Sequence, residues 1–343
     1  MEKEKKIKCI VWDLDNTIWD GVLLEDSHVV LKENIKIILK EIDNRGILQS
    51  IASKNDYKTA IKQLKTFKID HYFLYPQINW EPKSASIKEI ARLINIHTDT
   101  VAFIDDQLFE REEVAFSFGD VMCIDPIDLH TLLEMPEMNP KFITKDTKYR
   151  RKMYVDDIAR NKEENNYEGS QDEFLATLNM IFTISEVQKN ELQRAEELTI
   201  RTNQLNATGY TYTYEELDTF RKSPTHKLFI AELKDRYGTY GKIGLMLIEC
   251  NEKIWTLKLF LMSCRVISRG VGTVMLNFLM NLAVKHNVRL LAEFVPTDRN
   301  RMMYITYKFA GFKEIKENTN LILLESDLQN IQPIPDYIKL ISV

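Results

Sequence analysis

Two carboxylates follow the first apolar run of the sequence. Asp13 and Asp15 stand in "IVWDLDNT", with Thr17 two residues further on, at the end of a run that begins near Ile7. One carboxylate of such a pair can attack a phosphorus atom, and the second can protonate the leaving oxygen and later activate water. Because both acids and the substrate would be anionic, this chemistry requires a hard cation such as Mg2+ and fixed positive charges. The spacing therefore predicts a phosphoryl-transfer site.

Further polar residues can complete such a site. Ser53 in "IASKND" can donate a hydrogen bond to a phosphoryl group, and Lys54 and Asn55 follow it directly. Lys83 in "WEPKSASIKEI" can reach a phosphoryl group with its charge, and we prefer it to Lys88 because it lies closer to the start of the expected helix. Two adjacent acids in "FIDDQ" can supply further oxygen ligands. The predicted Mg2+ site consists of Asp13, Asp15 through its backbone, Asp105 and, in support, Asp106.

The first part of the chain has the pattern of a parallel sheet. Up to about His130, helical patterns alternate with short apolar runs, which are "IKCIVWDLD", "ILQSIAS", "YFLYP", "VAFIDD" and "VMCID". Gly46 stands where a helix over "NIKIILKEIDNR" would end. This alternation predicts an α/β fold with a Rossmann-like parallel sheet, in which ligands bind at the carboxyl ends of the strands. The predicted site residues fall at those ends, and the short spacings between them leave room only for a minimal cap.

The second part of the chain has a different pattern. Prolines interrupt the rhythm between Pro126 and Pro140, and a highly charged segment follows, whose run from Arg150 to Lys152 we interpret as a solvated helix face or, alternatively, a partner-binding patch. Long strand-like stretches with turns at "YGTYG" and "CNEK" then precede a helix, a strand, a second helix and a last strand, "LILLES". We predict a domain at 1–138, a helical linker at 139–180, and an α+β domain with a mixed, largely antiparallel sheet at 181–343.

Composition limits the classes of function. The 343 residues are 44% hydrophobic and carry a net charge of −5, which predicts no general affinity for nucleic acid or anionic membranes. We find no run of 18 apolar residues, and the charged N-terminus leaves no room for a signal peptide. The four cysteines are far apart, which argues against a disulfide scaffold or a zinc site. A reducing cytoplasm is the expected location.

Long phrases in both parts resemble one family. The order of acids, serine, lysine and acids in the first part resembles the haloacid dehalogenase superfamily of phosphohydrolases. The whole chain resembles the FkbH-like family, in which such a domain, of subfamily IIIC, precedes a domain similar to the GCN5-related acetyltransferases. The phrases that carry this resemblance include "CIVWDLDNTIWDGVLLED", "FIDDQLFEREEV", "LTIRTNQLNATGYTYTYEEL", "DRYGTYGKIGLM", "FLMSCRVISRGVGTVML" and "AEFVPTDRNRMMYITYKFAGF".

The resemblance implies a glyceryl transferase and phosphatase of polyketide biosynthesis. Such a protein dephosphorylates 1,3-bisphosphoglycerate and loads the glyceryl group as a thioester on a phosphopantetheinylated acyl carrier protein. Many family members resemble "CSKN" where this chain has Ala52 before Ser53, so the acyl-transfer step is less well supported than the phosphatase site. Two alternatives stay open: a phosphatase whose second domain only binds a partner, and an N-acyltransferase that uses acyl-coenzyme A.

The second part offers candidates for acyl transfer. Cys264 follows an apolar strand, and positive charge on Arg265 and Arg269 would lower the pKa of its thiol, although a cysteine at this position can equally be a packing residue. "RGVGTV" resembles the loop that holds the coenzyme A pyrophosphate, but the bulk of Val274 suits a carrier's pantetheine arm better. The predicted glyceryl-binding residues, which could instead cap a helix, are Asn203, Gln204 and Asn206. Arg265 is a further predicted substrate-binding residue. The predicted pantetheine-binding residues are Arg269, Gly270, Gly272, Asn300 and Tyr304.

Overall fold

The computed structural model describes residues 6–318 and 320–342, which form two compact units. Unit 1 ends at Val155, and unit 2 begins at Asp156. The division falls inside the segment 139–180 that the sequence assigned to a linker. The predicted boundaries of the three segments stay a prediction.

Unit 1 contains a five-stranded sheet in the order β5-β4-β1-β6-β7, in which every neighbouring pair is parallel. Its strands and those of a small hairpin are β1 Cys9–Trp12, β2 Trp19–Asp20, β3 Val30–Leu31, β4 Leu48–Ser53, β5 Gln77–Ile78, β6 Val101–Ile104 and β7 Met122–Ile124. Its helices are α1 Ile35–Asn44, α2 Tyr57–Phe67, α3 Lys83–Ile94, α4 Leu108–Ser117 and α5 Lys145–Lys148. Helix α6, Arg150–Asn165, contains the division between the units.

The central strands of this sheet are buried on both faces. Every residue of β1, β4 and β6 is buried, which is the burial expected of a parallel sheet covered by helices on both sides. Three predicted runs became these strands, and the polar residues that follow each run therefore meet at one edge of the sheet. This edge holds the candidate site.

Two local predictions for unit 1 had different outcomes. Gly46 ends α1 as predicted, with a φ of +65° that favours glycine. The strand predicted over "YFLYP" is mostly absent, because Asp70–Tyr72 form a 3-10 turn and Tyr75 has a φ of +51°. Only a bridge from Phe73 to Gln49 and the short strand β5 remain.

The charged run at the start of α6 is not simply a solvated face. Arg150 is buried and its Nη1 donates a hydrogen bond to the Gly46 carbonyl at 2.8 Å. Arg151 forms a bidentate pair with Asp43, with nitrogen to oxygen distances of 2.8 and 3.1 Å. Lys152 is exposed. Two of the three cations are therefore bound within unit 1.

Unit 2 contains an eight-stranded sheet in the order β13-β14-β12-β11-β10-β9-β8-β15. Its strands are β8 Met180–Glu186, β9 His226–Asp235, β10 Gly238–Cys250, β11 Ile254–Met262, β12 Arg289–Phe294, β13 Phe312–Asn318, β14 Leu321–Ser326 and β15 Ile338–Ser342. Its helices are α7 Gln171–Thr177, α8 Leu192–Arg201, α9 Tyr214–Lys222, α10 Val271–Lys285 and α11 Arg301–Phe309, and a 3-10 helix spans Cys264–Arg269.

The predicted fold class is confirmed by these two sheets. In unit 2 the pairs β11-β12 and β15-β8 are parallel, and the other neighbouring strands are antiparallel. The prediction that Leu321–Ser326 is the last strand was wrong, because β15 follows it and pairs with β8. The prolines that precede β15 made this segment resemble an irregular C-terminal segment in the sequence. Its partner strand, β8, lies far away in the sequence, so the pairing could not be predicted from local pattern.

Candidate phosphoryl-transfer site

A buried lysine joins the ends of the central strands in unit 1. Lys83 is the first residue of α3, is 3% exposed, and donates hydrogen bonds to Asp13 Oδ1 and, at 2.8 Å, to the Ala52 carbonyl. Its Nζ also lies 3.1 Å from Asp105 Oδ2. The side chain thus connects the carboxyl ends of β1, β4 and β6. Lys88, the alternative considered from the sequence, is exposed on α3.

Three carboxylates in this group can hold a cation. One oxygen from each of Asp13, Asp105 and Asp106 lies within 4.8 Å of the others. Asp106 Oδ1 is buried and accepts no hydrogen bond from the described residues. Three carboxylates beside one ammonium group leave excess negative charge in a buried place, and oxygen ligands of this kind suit Mg2+. The residues present therefore fit the predicted cofactor, and Asp106 takes part as directly as the other two.

The burial and crowding of these carboxylates also shift the pKa values within the group. Burial raises the pKa of the Asp13 carboxyl to about 7, although Lys83 acts in the opposite direction, and Asp105 adds to the rise. Burial and the neighbouring Asp105 also raise the pKa of Asp106. Burial acts to lower the pKa of Lys83, but Asp13 and Asp105 outweigh it and raise that pKa. Lys83 alone therefore does not offset the cost of burying Asp13 and Asp106 in their charged forms.

Asp15 is held in a fixed orientation beside this group. Its Oδ1 accepts hydrogen bonds from Trp19 Nε1 at 2.8 Å and from the Leu23 amide at 3.1 Å. Its Oδ2 accepts one from Asn55 Nδ2 at 2.9 Å. Asn55 is 1% exposed, and its own Oδ1 accepts the Asp56 amide at 3.2 Å, which turns the NH2 group toward Asp15. The Asp15 side chain is not part of the three-carboxylate group, and its predicted backbone role at the metal stays a prediction.

The remaining predicted phosphate ligands lie at the same edge of the sheet. Ser53 ends β4 and is 4% exposed, and its predicted hydrogen bond to a phosphoryl group stays a prediction. Lys54 forms an ion pair with Glu110 at 2.7 Å. Asn55 bonds to Asp15 instead of facing an open position. The structure therefore gives Asn55 a positioning role where the sequence predicted a substrate contact.

Several supporting residues were not found from the sequence. Glu113 on α4 accepts hydrogen bonds from the amide (3.1 Å) and hydroxyl of Ser84, which fixes the first turn of α3 next to Lys83. Arg111 donates to the Asp105 carbonyl at 2.6 Å and to Asp125 Oδ2 at 2.6 Å. Thr17 Oγ1 accepts the Asp106 amide at 3.2 Å. The acid-rich phrase "FEREEV" was the available signal, because a helix that buries Glu110 needs a partner for it.

In unit 2, the structure places Cys264 beside Gln204. Cys264 Sγ donates a hydrogen bond to Gln204 Oε1 at 3.6 Å, and the thiol is half-buried at the start of the 3-10 helix after β11. Asn203, a second predicted glyceryl-binding residue, is exposed next to Gln204. Cys264, Gln204 and Asn203 therefore lie in one region, although their roles stay predictions. Asn206, the third predicted residue, is 0% exposed, and its Oδ1 accepts a hydrogen bond from the Gly209 amide at 3.0 Å.

An internal segment fills the gap between β11 and β12. These strands pair only from Ile254 with Arg289 to Leu257 with Ala292. Beyond that point the segment 205–207 lies between them. The Met262 amide donates to the Leu205 carbonyl and the Ala207 amide to the Phe260 carbonyl, both at 2.9 Å, and the Val295 amide donates to the Ala207 carbonyl at 3.0 Å. The backbone groups that an extended ligand could pair with are therefore already used.

Asn300 fastens this segment. It is therefore not the pantetheine contact that the sequence predicted. Its side chain is 0% exposed. Its Nδ2 donates to the carbonyls of Asn206 at 3.0 Å and Val295 at 2.9 Å, and its Oδ1 accepts the Thr297 amide at 2.9 Å. A side chain so enclosed has no group left for pantetheine. Tyr304 bonds to Glu314 and packs on Phe294, and its predicted role stays a prediction.

Residues of the predicted pantetheine loop make contacts within unit 2. Arg269 is 4% exposed, and its Nη1 lies 3.0 Å from Glu164 Oε2. A Cβ on Gly272 would lie 2.6 Å from Met262 Cε, so this glycine lets α10 approach β11 closely. Gly270 has a φ of +71° at the start of α10. Packing and chain reversal therefore account for glycine at these two positions, and the pantetheine contacts predicted for the loop stay a prediction.

Arg265 is also bonded to a group other than the ones predicted for it. Its Nη2 donates to the Tyr240 carbonyl at 2.7 Å. Nearby, Arg160 forms a bidentate pair with Asp235, with nitrogen to oxygen distances of 2.5 and 2.9 Å. The structure thus gives Arg265 a backbone carbonyl and Arg269 the Glu164 carboxylate as partners. The sequence expected those charges to act on Cys264 and on substrate.

Unit 1 thus has the parts of an aspartate-based, metal-assisted phosphoryl-transfer site on a parallel sheet. In agreement with this, residues 22–113 match the family model of the haloacid dehalogenase-like hydrolases. The matched range includes Ser53, Lys83, Asp105 and Asp106 but begins after Asp13 and Asp15. Unit 1 is similar to these hydrolases over that range. No curated protein matches the sequence.

Solved structures match part of the chain with low TM-scores. The N-terminal part of a Bacteroides fragilis protein, which contains a phosphatase domain complexed with Mg, is 29% identical over 40% of this chain, with a TM-score of 0.34. The chain spans 43% of that protein's length. The ribosomal-protein-S18-alanine N-acetyltransferase of Escherichia coli is 15% identical over 42% of this chain and 92% of its own, with a TM-score of 0.34. Ard1 from Thermoplasma volcanium is 16% identical over 42% of this chain and 97% of its own, with a TM-score of 0.32.

Across 6–318 and 320–342, no helix is both long enough and apolar enough to span a membrane.

Proposed function

We propose that the chain is a magnesium-dependent phosphatase that also transfers a glyceryl group. In this proposal it dephosphorylates 1,3-bisphosphoglycerate and loads the glyceryl group as a thioester on a phosphopantetheinylated acyl carrier protein for polyketide biosynthesis. The observation that supports the phosphatase part is the buried group in which Lys83 bonds Asp13 and Asp105. The substrate, the carrier protein and the pathway rest on the resemblance to the FkbH-like family.

In the phosphatase step, Asp13 is the nucleophile. Lys83 holds Asp13 Oδ1, which leaves Oδ2 to attack the phosphorus atom. A bond forms between Asp13 and phosphorus, and the bond from phosphorus to the substrate oxygen breaks. Asp15 gives a proton to that leaving oxygen and then takes one from the water that hydrolyses the aspartyl phosphate. Phosphate leaves and both carboxyl groups return to their starting states.

The other residues hold charge and orientation. Ser53 is placed to donate a hydrogen bond to the phosphoryl group from the end of β4. Asp13, Asp105 and Asp106 would hold Mg2+, which when bound neutralises negative charge on the phosphoryl group and the carboxylates. Asn55, Trp19 and the Leu23 amide keep Asp15 in one orientation, so little reorganisation precedes proton transfer.

In the transfer step, the acyl phosphate supplies the driving force. A thiolate attacks the acyl carbon, a carbon to sulfur bond forms, and the bond to the phosphate oxygen breaks, so that inorganic phosphate leaves with the electron pair. If Cys264 carries the acyl group, exchange with the pantetheine thiol passes it to the carrier and restores the Cys264 thiol. Gln204, 3.6 Å away, is the polar group that would orient the thiol or a glyceryl hydroxyl. The phosphate ester at the other end of the substrate is the one hydrolysed at Asp13.

One observation favours a plain phosphatase as the second candidate. Arg265 bonds to Tyr240 and Arg269 pairs with Glu164, so the positive charge predicted to activate Cys264 is engaged elsewhere. In that case unit 2 would bind a partner without acyl chemistry. The N-acyltransferase alternative gains no support, because segment 205–207 occupies the strand edges between β11 and β12.

The test combines phosphate release with intact mass spectrometry. The wild-type protein, Asp13→Asn and Cys264→Ala are each incubated with 1,3-bisphosphoglycerate, Mg2+ and a panel of holo acyl carrier proteins. We expect a glyceryl mass on a carrier with wild type, loss of phosphate release from the ester in Asp13→Asn, and loss of the glyceryl adduct in Cys264→Ala. Phosphate release without any adduct on enzyme or carrier would select the plain phosphatase, and absence of magnesium-dependent phosphate release would refute both.

A further inference from the structure

The exposed face of α2 carries a row of positive charges. Lys58, Lys62 and Lys65 are exposed and spaced at i, i+4 and i+7, so they form one stripe along the helix, and Lys68 follows at its C-terminal cap. Within 6–318 and 320–342, no carboxylate forms an ion pair with any of these four ammonium groups. We call Lys58, Lys62 and Lys65, together with Tyr57 and Ile61 beside them, the basic face of α2.

This arrangement has a physical cost. Like charges three or four residues apart on a helix destabilise it by about 0.2–0.5 kcal/mol per pair. Helix α2 contains no acidic residue, whereas α1, which also has two lysines at i and i+4, Lys36 and Lys40, contains Glu41 and Asp43. The whole chain has a net charge of −5, so an excess of lysine is not its general character. The local excess on α2 indicates a face that is used by an anionic partner.

The basic face begins at the edge of the candidate site. Asp56 caps α2 by accepting the Thr59 amide at 2.9 Å, and the residue before it, Asn55, bonds to Asp15. Lys58 therefore lies in the first turn after the loop that supports Asp15. At 1.5 Å per residue, the stripe from Lys58 to Lys65 runs about 10 Å away from that edge. A partner bound along it would bring a tethered group to the carboxyl ends of the strands.

The apolar residues of α2 distinguish between two kinds of anionic partner. Ala60 and Leu64 are fully buried in the core, and Tyr57, 50% exposed, is the large apolar side chain left at the surface. A shallow groove of about 590 Å³ is lined by Tyr57, Lys58, Ile61, Lys62, Lys65 and Thr66. A helix that inserts into a membrane needs a broad exposed apolar face, which α2 does not have. One exposed tyrosine between lysines is instead typical of a protein contact.

We infer that the basic face of α2 is the docking surface for an acidic helix of a partner protein. This inference rests on the proposed function for the partner's identity: an acidic acyl carrier protein that presents its pantetheine-bound group to the chain. Charge complementarity speeds encounter and sets orientation, and its contribution falls as salt screens the charges. Docking on α2 would therefore determine which carriers are used, without changing the chemistry at Asp13.

The experiment compares two triple charge reversals in the full chain. The test variant is Lys58→Glu/Lys62→Glu/Lys65→Glu, and the matched control is Lys36→Glu/Lys40→Glu/Lys88→Glu, three lysines that are also exposed on unit 1. Binding of holo acyl carrier proteins with acidic helices is measured by fluorescence anisotropy at 20 and 200 mM salt. Phosphate release from acetyl phosphate with Mg2+ is measured in parallel, and anionic vesicles of phosphatidylserine and phosphatidylcholine serve as the membrane probe.

We expect the test variant to bind the carrier at least tenfold more weakly at low salt, the control to stay within twofold of wild type, and both variants to keep wild-type phosphate release from acetyl phosphate. Equal weakening in both variants, or none in the test variant, would overturn the inference. So would wild-type protein that binds the vesicles but none of the carriers, or neither probe. Loss of magnesium-dependent phosphate release in the wild type would instead count against the proposed function, because the binding comparison does not depend on turnover.

Discussion

Asn55 offers a sharp test, because the sequence and the structure give it different roles. The sequence placed it among the phosphate ligands, whereas the structure bonds its Nδ2 to Asp15 Oδ2 at 2.9 Å. If Asn55 binds substrate, its removal should raise KM. If it positions Asp15, its removal should lower kcat and leave KM nearly unchanged, since the substrate contacts remain.

The size of the effect follows from this contact. A hydrogen bond to a charged group contributes about 1.5–3 kcal/mol. Asp15 keeps its two contacts on Oδ1, from Trp19 and Leu23, so it stays in place but becomes free to turn about its remaining bonds. At about 1.4 kcal/mol per tenfold change in rate, Asn55→Ala should lower kcat for phosphate release by about 10- to 100-fold.

A double-mutant cycle isolates the interaction. Phosphate release is measured for wild type, Asn55→Ala, Asp15→Asn and the double variant, each at saturating substrate and Mg2+. We expect the Asn55→Ala factor to shrink to less than threefold in the Asp15→Asn background, because the group it positions is no longer an acid. Gln49→Leu is the control for general damage: it removes another buried amide from β4, whose Nε2 donates to the Leu39 carbonyl at 2.9 Å without contact to Asp15. That variant should lose stability but keep its kcat.

Two results would refute the reasoning about Asn55. The first is a rise in KM with unchanged kcat, which would return Asn55 to the substrate-binding role predicted from sequence. The second is an equal loss of kcat in both backgrounds, which would show that the amide acts without Asp15. A thermal melt of each variant shows whether a loss of kcat reflects unfolding.

Three further predictions concern charge and backbone in unit 1. Lys83→Met should lower phosphate release at least 100-fold and destabilise the fold, because loss of one member of a buried ion group costs about 3–5 kcal/mol; phosphate assays and urea denaturation test this. The pKa of Asp13, raised from 3.8 to about 7, means that the metal-free folded state holds a proton that the unfolded chain releases, so its stability should fall as pH rises from about 4 to 7. Mg2+ should therefore raise Tm more at pH 8 than at pH 5, and EDTA should remove this difference. Calorimetry measures both shifts, and an equal or larger shift at pH 5 would contradict the prediction. Gly46→Ala should lower the free energy of unfolding by about 1–2 kcal/mol or more, because φ is +65° and the new Cβ would lie 2.8 Å from the Thr147 carbonyl oxygen. Gly119→Ala is the control, since a Cβ there would have no atom within 4 Å, and it should leave the free energy of unfolding nearly unchanged in the same denaturation experiment.

The residues that sequence placed correctly in space share one property. Asp13, Ser53 and Asp105 stand at or directly after the ends of buried parallel strands, so the topology alone brings them to one edge. Lys83 begins the helix that follows the next strand. Their proximity depends on backbone connections that hydrophobic periodicity predicts well.

The contacts that sequence missed depend on side-chain direction. Asn55 was expected to face the substrate because it adjoins Ser53, but its amide is turned by the Asp56 backbone toward Asp15. Arg265 was expected to act on Cys264 because the two are adjacent, but neighbours in a 3-10 helix point in different directions, and Arg265 reaches the Tyr240 carbonyl. Adjacency in sequence therefore predicted location and failed to predict contact.

The same distinction explains where ligand chemistry can occur in unit 2. The sequence predicted a backbone cradle at the start of α10, supported by Asn300 and two glycines. The structure uses Asn300 to fasten segment 205–207 between β11 and β12, and it uses Gly272 for packing. Because Leu205 pairs with Met262, Gln204, one residue before Leu205, and Cys264, two residues after Met262, are brought together at the end of the filled gap. Recognition in this unit would therefore depend on side chains at that point, with a thiol and an amide as the groups available to it.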